Sequence, residues 1–236
     1  MLAHCIVSVS PIRIEPNLHS EMISQILFGE FCEILDQKDN FFLVKMEKDE
    51  VQGWVSALQL SEINSRFSTS VITTPLESYF NHQGRYFLSL GSEIPSSDEV
   101  GKVQEPSGLG VEKVAQSLLS IPYLQGGRSC FGTDADGFVQ LCFKAVGISL
   151  PRWVKDQATQ GEVLDFLGES EAGDLAFFED ESGQIIHVGI MLNNYQVIHS
   201  YGKVRVDSLD SSGIFNVDLK KHTHKLRFVK RILNSK

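Results

Sequence analysis

One stretch constrains this chain more than any other: Tyr123 to Phe143, YLQGGRSCFGTDADGFVQLCF. A loop containing Gly126, Gly127 and Gly132 runs into Asp134, and an apolar periodic run follows immediately. Asp134 is a good N-cap, because its carboxylate can accept hydrogen bonds from the N–H groups that a first helical turn leaves free. Phe138, Leu141, Cys142, Ala145 and Val146 then recur at helical spacing, and Gly147 ends the helix. Ala135 and Asp136 therefore sit on the opening turn of a buried helix. The positive end of a helix favours a thiolate, a carboxylate or an oxyanion, so Asp136 is expected to stay ionised at neutral pH. The same place is a natural seat for a nucleophile, and here the first side chain is a methyl group.

This stretch resembles the active-site motif of the NlpC-type (NlpC and p-sixty) cell-wall cysteine peptidases. Tyr123, Gly126, Gly127, Gly132, Asp134, Gly137, Phe138 and Val139 match that pattern. Gln125 stands where the family has Trp, Ala135 where it has the catalytic Cys, and Asp136 where it has Ser. Further matches follow in order. They are Leu150-Pro151-Arg152, Gly173-Asp174-Leu175-Ala176-Phe177-Phe178, His187-Val188-Gly189-Ile190, and the apolar segment 195–200 with His199. Helices followed by a run of antiparallel strands make an α+β domain, and the resemblance implies that residues 109–236 are papain-like.

Ahead of this region, residues 1–62 read as short strands separated by polar turns, the pattern of a small all-β barrel. The order resembles a bacterial SH3-like domain, on Arg13-Ile14-Glu15-Pro16, residues 20–29 and Gly53-Trp54-Val55. Val51 stands where many relatives carry an aromatic residue, and Trp54 reads as a core residue. Residues 63–108 are expected to form a second small β segment or a linker. It would have strands on either side of residues 81–84, with Pro75 pushing the first to an edge and a boundary in the polar run 96–108.

A cysteine peptidase needs a thiolate, a histidine to take and return its proton, and a group to orient that histidine. The resemblance implies that His187 is the base and His199 its orienter, with residue 135 in the nucleophile position. It assigns Asp134, Asp136, Glu15 and Tyr123 to substrate binding. It also implies a cleft for short peptidoglycan-derived peptides cut at a γ-D-glutamyl-diamino acid bond, as in the cytoplasmic endopeptidases of murein recycling. The remaining histidines (4, 19, 82, 222 and 224) read as surface residues. Cys142 falls on the apolar face of the helix and Cys130 on the loop before it, so neither is expected to replace the missing sulfur.

Ala135 has no ionisable group, and three explanations are open. The alanine is a substitution made to trap a substrate, or the chain is a natural pseudoenzyme, a catalytically inactive muropeptide-binding or scaffold protein on the same fold. Otherwise the site is repurposed, with Asp134 or Asp136 joining His187 and His199 as a two-histidine, one-carboxylate metal site. No cofactor and no metal are expected on the first two. A C-terminal domain that only binds a protein partner is a further, unrelated possibility.

Composition narrows the field. With 21 Lys and Arg against 30 Asp and Glu, the net charge of −9 opposes a nucleic-acid footprint and an anionic membrane surface. No apolar run approaches the roughly 20 residues of a membrane span. MLAHCIVSVSP lacks a basic leader region and reads as a first strand, so a cytoplasmic location is expected. The four cysteines show no framework spacing, in keeping with reduced thiols.

Overall fold

The computed structural model describes residues 1–98 and 106–233. The chain divides into two compact units, Met1–Val103 with Leu124–Gly132, and Gln104–Tyr123 with Thr133–Lys236. The glycine loop that the sequence division keeps with 109–236 is thus grouped with the first unit. Most of the expected boundary, at 99–105, lies outside the described residues.

The first unit opens with seven strands: β1 (Leu2–Cys5), β2 (Val9–Arg13), β3 (Met22–Leu27), β4 (Phe31–Lys38), β5 (Phe41–Met46), β6 (Gln52–Ser56) and β7 (Leu60–Ile63). They form one antiparallel sheet in the order β3-β2-β6-β5-β4-β1-β7. The expected first strand is therefore two, parted at residues 6–8. Alternation turns Ala3, Cys5, Ile12, Ile26, Cys32, Val44 and Val55 into a common core. Val51 joins that core. Trp54 does not: strand parity buries its neighbours Gly53 and Val55 and leaves the indole half-buried, so the core reading of Trp54 is corrected. Any side chain at Gly53 would meet Ile12 Cγ2 at 2.5 Å, which explains the glycine.

Residues 63–98 add β8 (Thr69–Val71), β9 (Leu76–Asn81), β10 (Gly84–Ser89) and β11 (Glu93–Pro95). β9 and β10 make a hairpin around residues 81–84, as the sequence indicates, and β8 pairs with β11. Pro75 separates β8 from β9 instead of lying inside one edge strand. A small cluster of Phe28, Ile72, Leu88 and Ile94 holds these strands to the unit.

Within the same unit the glycine loop lies against β3. Gly126 has φ +74°, and a Cβ there would collide with the Met22 carbonyl. Arg128 is buried and forms a two-pronged pair with Glu30 at 2.7 and 3.0 Å. Its backbone N–H donates to Gln25 Oε1. Removing either charge would strand the other away from water.

Two short strands, β12 (Arg128–Ser129) and β13 (Gly132–Thr133), lead out of the glycine loop. The second unit carries α1 (Gly108–Ser117), α2 (Ala135–Ala145) and the single turn α3 (Val154–Gln157). After α3 comes β14 (Glu162–Val163). Then follow β15 (Leu175–Glu179), β16 (Ile185–Asn193), β17 (Gln196–Tyr201), β18 (Lys203–Asp210), β19 (Gly213–Asn216) and β20 (Lys221–Arg231). The sheet order is β14-β20-β15-β16-β17-β18-β19, and β19 also pairs with β20. The last six strands therefore close into a barrel, around Ala176, Phe178, Met191, Val197, Leu209, Ile214 and Val229. Closure brings residues from distant strands to one place, which sequence periodicity does not reveal. α2 is buried on nearly every side, its polar Gln140 and Lys144 included, and packs on α1, β16 and β17. Gly147, at φ +82°, ends it.

Candidate active site

Asp134 caps α2 as its sequence suggests. The backbone there is extended, and Oδ1 accepts from the Gly137 N–H at 2.7 Å. Both carboxylate oxygens also receive the guanidinium of Arg152, at 3.0 and 2.6 Å, and Arg152 is 1% exposed. The charge of Asp134 is thus matched inside the protein. Arg152 in turn lies 5.0 Å from the centre of the Trp153 ring, a cation–π contact.

Ala135, the first helical residue, is 5% exposed. The helix start is fastened to the end of β17: Ser200 Oγ, next to His199, donates to the Thr133 carbonyl at 2.8 Å. The Tyr123 N–H donates to the Gly202 carbonyl, and Tyr123 bridges to Thr133.

Asp136 has a definite job. The residue at the N-cap of α3 is Trp153, which offers no side-chain acceptor. Asp136 Oδ2 accepts from the Val154 N–H at 2.8 Å instead, and the Asp136 carbonyl accepts from Gln157 Nε2. The carboxylate thus satisfies, from α2, one of the N–H groups that the first turn of α3 leaves free. Burial pushes its pKa up to about 6, aided by neighbouring Asp134 and opposed by Arg152 and the Val154 N–H. Asp136 thus remains mainly ionised at neutral pH, as its place on the helix suggests, but burial and not the dipole sets the direction of the shift. Tyr123 is 41% exposed, and its hydroxyl pKa is raised by partial burial and by the charges of Asp134 and Asp136.

The two expected histidines meet. His187 on β16 and His199 on β17 are buried, with His187 Nε2 2.8 Å from His199 Nδ1. Gly189 makes this possible, because a Cβ there would stand 3.0 Å from the His199 Cβ. His199 Nε2 lies 3.1 Å from Asp207 Oδ2 on β18. Asp207 also accepts from Arg205 and from Asn216 Nδ2. Burial pushes the Asp207 carboxyl up, but hydrogen bonds from His199 and Arg205 outweigh it and hold the group below the usual range. An ionised Asp207 can only accept. His199 must then donate from Nε2 and accept at Nδ1, so His187 donates from Nε2. Nδ1 of His187 keeps its lone pair, the form a general base requires. Burial lowers the pKa of both imidazoles, that of His187 well below its ordinary value, so both are neutral at pH 7.

The sequence alone does not single out Asp207, Arg205 or Asn216. The surface reading of His224 is corrected. It is half-buried on β20, with its ring stacked on His187 at a centroid distance of 4.1 Å. His4 is also half-buried, against Phe31 and Phe67 of the first unit. Glu15 belongs to the first unit and is exposed, where its carboxylate accepts from Asn17 Nδ2.

The metal alternative finds no support in this donor set. The facing nitrogens of His187 and His199 are bonded to each other, Asp134 holds Arg152, and Asp136 caps α3. Among the described residues no group of three or more His, Cys, Asp or Glu is placed to hold a metal ion. Nor is any helix there long and apolar enough to cross a membrane. Cys5, Cys32 and Cys142 are buried free thiols and Cys130 is half-buried; burial raises the pKa of each.

Comparison with known proteins agrees with this geometry. Residues 120–223 match the NlpC/P60 family, and residues 12–60 match the bacterial dipeptidyl-peptidase SH3 domain. The chain is 36% identical over 119 residues to the gamma-D-glutamyl-L-lysine dipeptidyl-peptidase of Bacillus subtilis, covering 50% of this chain and 38% of that one. It is 32% identical over 161 residues to the peptidoglycan endopeptidase RipB of Mycobacterium tuberculosis, covering 56% of this chain and 66% of that one. The chain therefore spans only part of the length of these relatives. In fold, it resembles the crystal structure of an NlpC/P60 family protein from Bacillus cereus with a TM-score of 0.83, at 17% identity, covering 99% of this chain and 100% of that one. Residues 120–223 are thus an NlpC/P60 family domain, and residues 12–60 a bacterial SH3 domain.

Proposed function

We propose that this chain binds short peptidoglycan-derived peptides without cutting them, at a site that keeps its general base and lacks its nucleophile. The observation that carries the reading is the methyl group of Ala135 at the opening of α2. A helix N-terminus can lower a thiol pKa to about 3.5–7.5, but an alanine offers nothing to activate. The activities by which the relatives are named, on γ-D-glutamyl-L-lysine peptides and on peptidoglycan, supply the ligand class. Peptides released in murein turnover carry that chemistry. The Asp136–Val154 contact supports a settled binding role, because the residue beside Ala135 has its own structural work.

A second reading is a cysteine endopeptidase whose thiol was lost recently or by design. The intact line from Asp207 through His199 to His187 favours it. Calorimetry with L-Ala-γ-D-Glu-L-Lys tests the first reading: saturable binding with no hydrolysis product is expected, and failure to bind rejects both. The variant A135C separates the two. Turnover in the ordinary enzyme range of about 1–10³ per second favours recent loss, and binding with detectable but far slower cleavage favours the binder.

A further inference from the structure

The barrel places a third imidazole on the site. His224 stacks on His187 with ring planes 25° apart, and its edge meets Tyr201 at 4.9 Å and His199 at 5.8 Å. Phe178 approaches His187 at 5.7 Å and His224 at 6.0 Å. His224 Nδ1 lies 2.9 Å from the hydroxyl of neighbouring Thr223, which anchors the ring. His187 is buried while His224 is only half-buried, so His224 forms the outer layer.

We propose that His224 is a positioning residue of this site, a ring that fixes the plane of His187 and closes one face of it to water. The proposal rests on the reading of His187 as the base. A free imidazole can rotate about two side-chain torsions and exchange tautomers. His187 is held at Nε2 by His199, and a stacked ring on its face removes the remaining rotation. Nδ1 then keeps one direction. The groups that act on the pair are His187 on β16, His199 and Tyr201 on β17, Asp207 on β18 with Arg205 beside it, Phe178 on β15, and Thr223 on β20. Among them only Asp207 is anionic, and it is engaged by Arg205, His199 and Asn216. A proton on either stacked ring therefore repels a proton on the other. Burial, with His199 adding to it, pulls His224 down to about 4, and both neighbouring imidazoles depress His187 beyond the effect of its burial.

The test needs neither ligand nor turnover, so it can fail independently of the binding reading. Nitrogen-15 NMR of the histidine side chains reports tautomer and titration midpoint for His187 in the whole chain, in H224F and in H224A. The unmodified chain is expected to hold His187 with its proton on Nε2. H224F keeps a ring against His187, so the tautomer is retained while the midpoint moves upward as the competing proton site disappears. H224A opens the face to water, and the midpoint is expected to rise by about one unit or more, with the second tautomer becoming populated. A purely structural role for His224 would lower thermal stability and leave the His187 titration in place. Unchanged midpoint and tautomer in both folded variants would overturn the proposal. If H224A does not fold, an unmoved midpoint in H224F is sufficient to overturn it.

Discussion

Nε2 of His187 lies 2.8 Å from Nδ1 of His199, and the direction of that hydrogen bond is set by Asp207 on the far side of His199. The substitution D207N should reverse it. Arg205 would hold the amide oxygen in the Oδ1 place, the amide nitrogen in the Oδ2 place would donate to His199 Nε2, and both imidazoles would flip tautomer. His187 would then carry its proton on Nδ1 and could no longer act as base. In an A135C background, hydrolysis of L-Ala-γ-D-Glu-L-Lys is expected to fall by roughly 10²–10⁴-fold, the usual contribution of general acid–base catalysis. Steady-state rates of A135C and A135C/D207N check this.

Asp136 and Trp153 form a compensating pair. Removing the carboxylate in D136A leaves the Val154 N–H without its cap, at a cost of about 0.5–2 kcal/mol. The variant W153S offers the same turn a local cap, on the N–H of Lys155 or Asp156. The double variant D136A/W153S should therefore lose less stability than the two single losses added together. Urea unfolding of the four proteins measures that coupling, and strict additivity would remove the capping role from Asp136.

Arg152 is buried against Asp134. R152M takes the guanidinium away from a buried carboxylate, which should cost about 3–5 kcal/mol. Adding D134N removes the stranded charge and should recover part of the loss, since the amide oxygen can still cap Gly137. Denaturation midpoints of R152M and D134N/R152M report the difference.

Stability should depend on pH through opposing groups. His187, His199 and His224 all have folded pKa values below the ordinary 6.5. The unfolded chain therefore binds more protons there, and stability present above pH 6.5 is lost as pH falls. Asp136, raised to about 6 from 3.8, acts the other way: the folded state binds the extra proton, and its contribution is lost as pH rises from about 4 to 6. His224, lowered to about 4, offsets the carboxyl by itself, and His187 and His199 act in the same direction as His224. Net destabilisation is expected between pH 6.5 and 4, and it should be steeper in D136N. Urea titrations at pH 7.5, 6 and 5 test both statements.

Much of the site is legible in the sequence, for local reasons. Asp134 announces the cap of α2 because capping is a matter of adjacent residues, and Gly147 announces its end. His187 and His199 stand out through the motifs around them. Asp207 and His224 do not, because barrel closure, and not spacing, brings β18 and β20 to the histidines. Asp136 reads only as a dipole-stabilised anion, because its partner, the Val154 N–H, lies beyond a turn of irregular backbone. Trp54 misleads because an aromatic in a strand looks like core until strand parity is known. The glycine loop reads as part of the catalytic motif, yet Gly126 and Arg128 take their partners, Met22 and Glu30, from the first unit.

The central claim is that this site has a complete base and lacks a sulfur. Mass spectrometry of L-Ala-γ-D-Glu-L-Lys incubated with the chain and with A135C, side by side, tests it most directly. The expected result is intact tripeptide with the chain and free L-lysine appearing with A135C. Free L-lysine released by the chain itself, or none from a folded A135C that binds the tripeptide, would contradict the account.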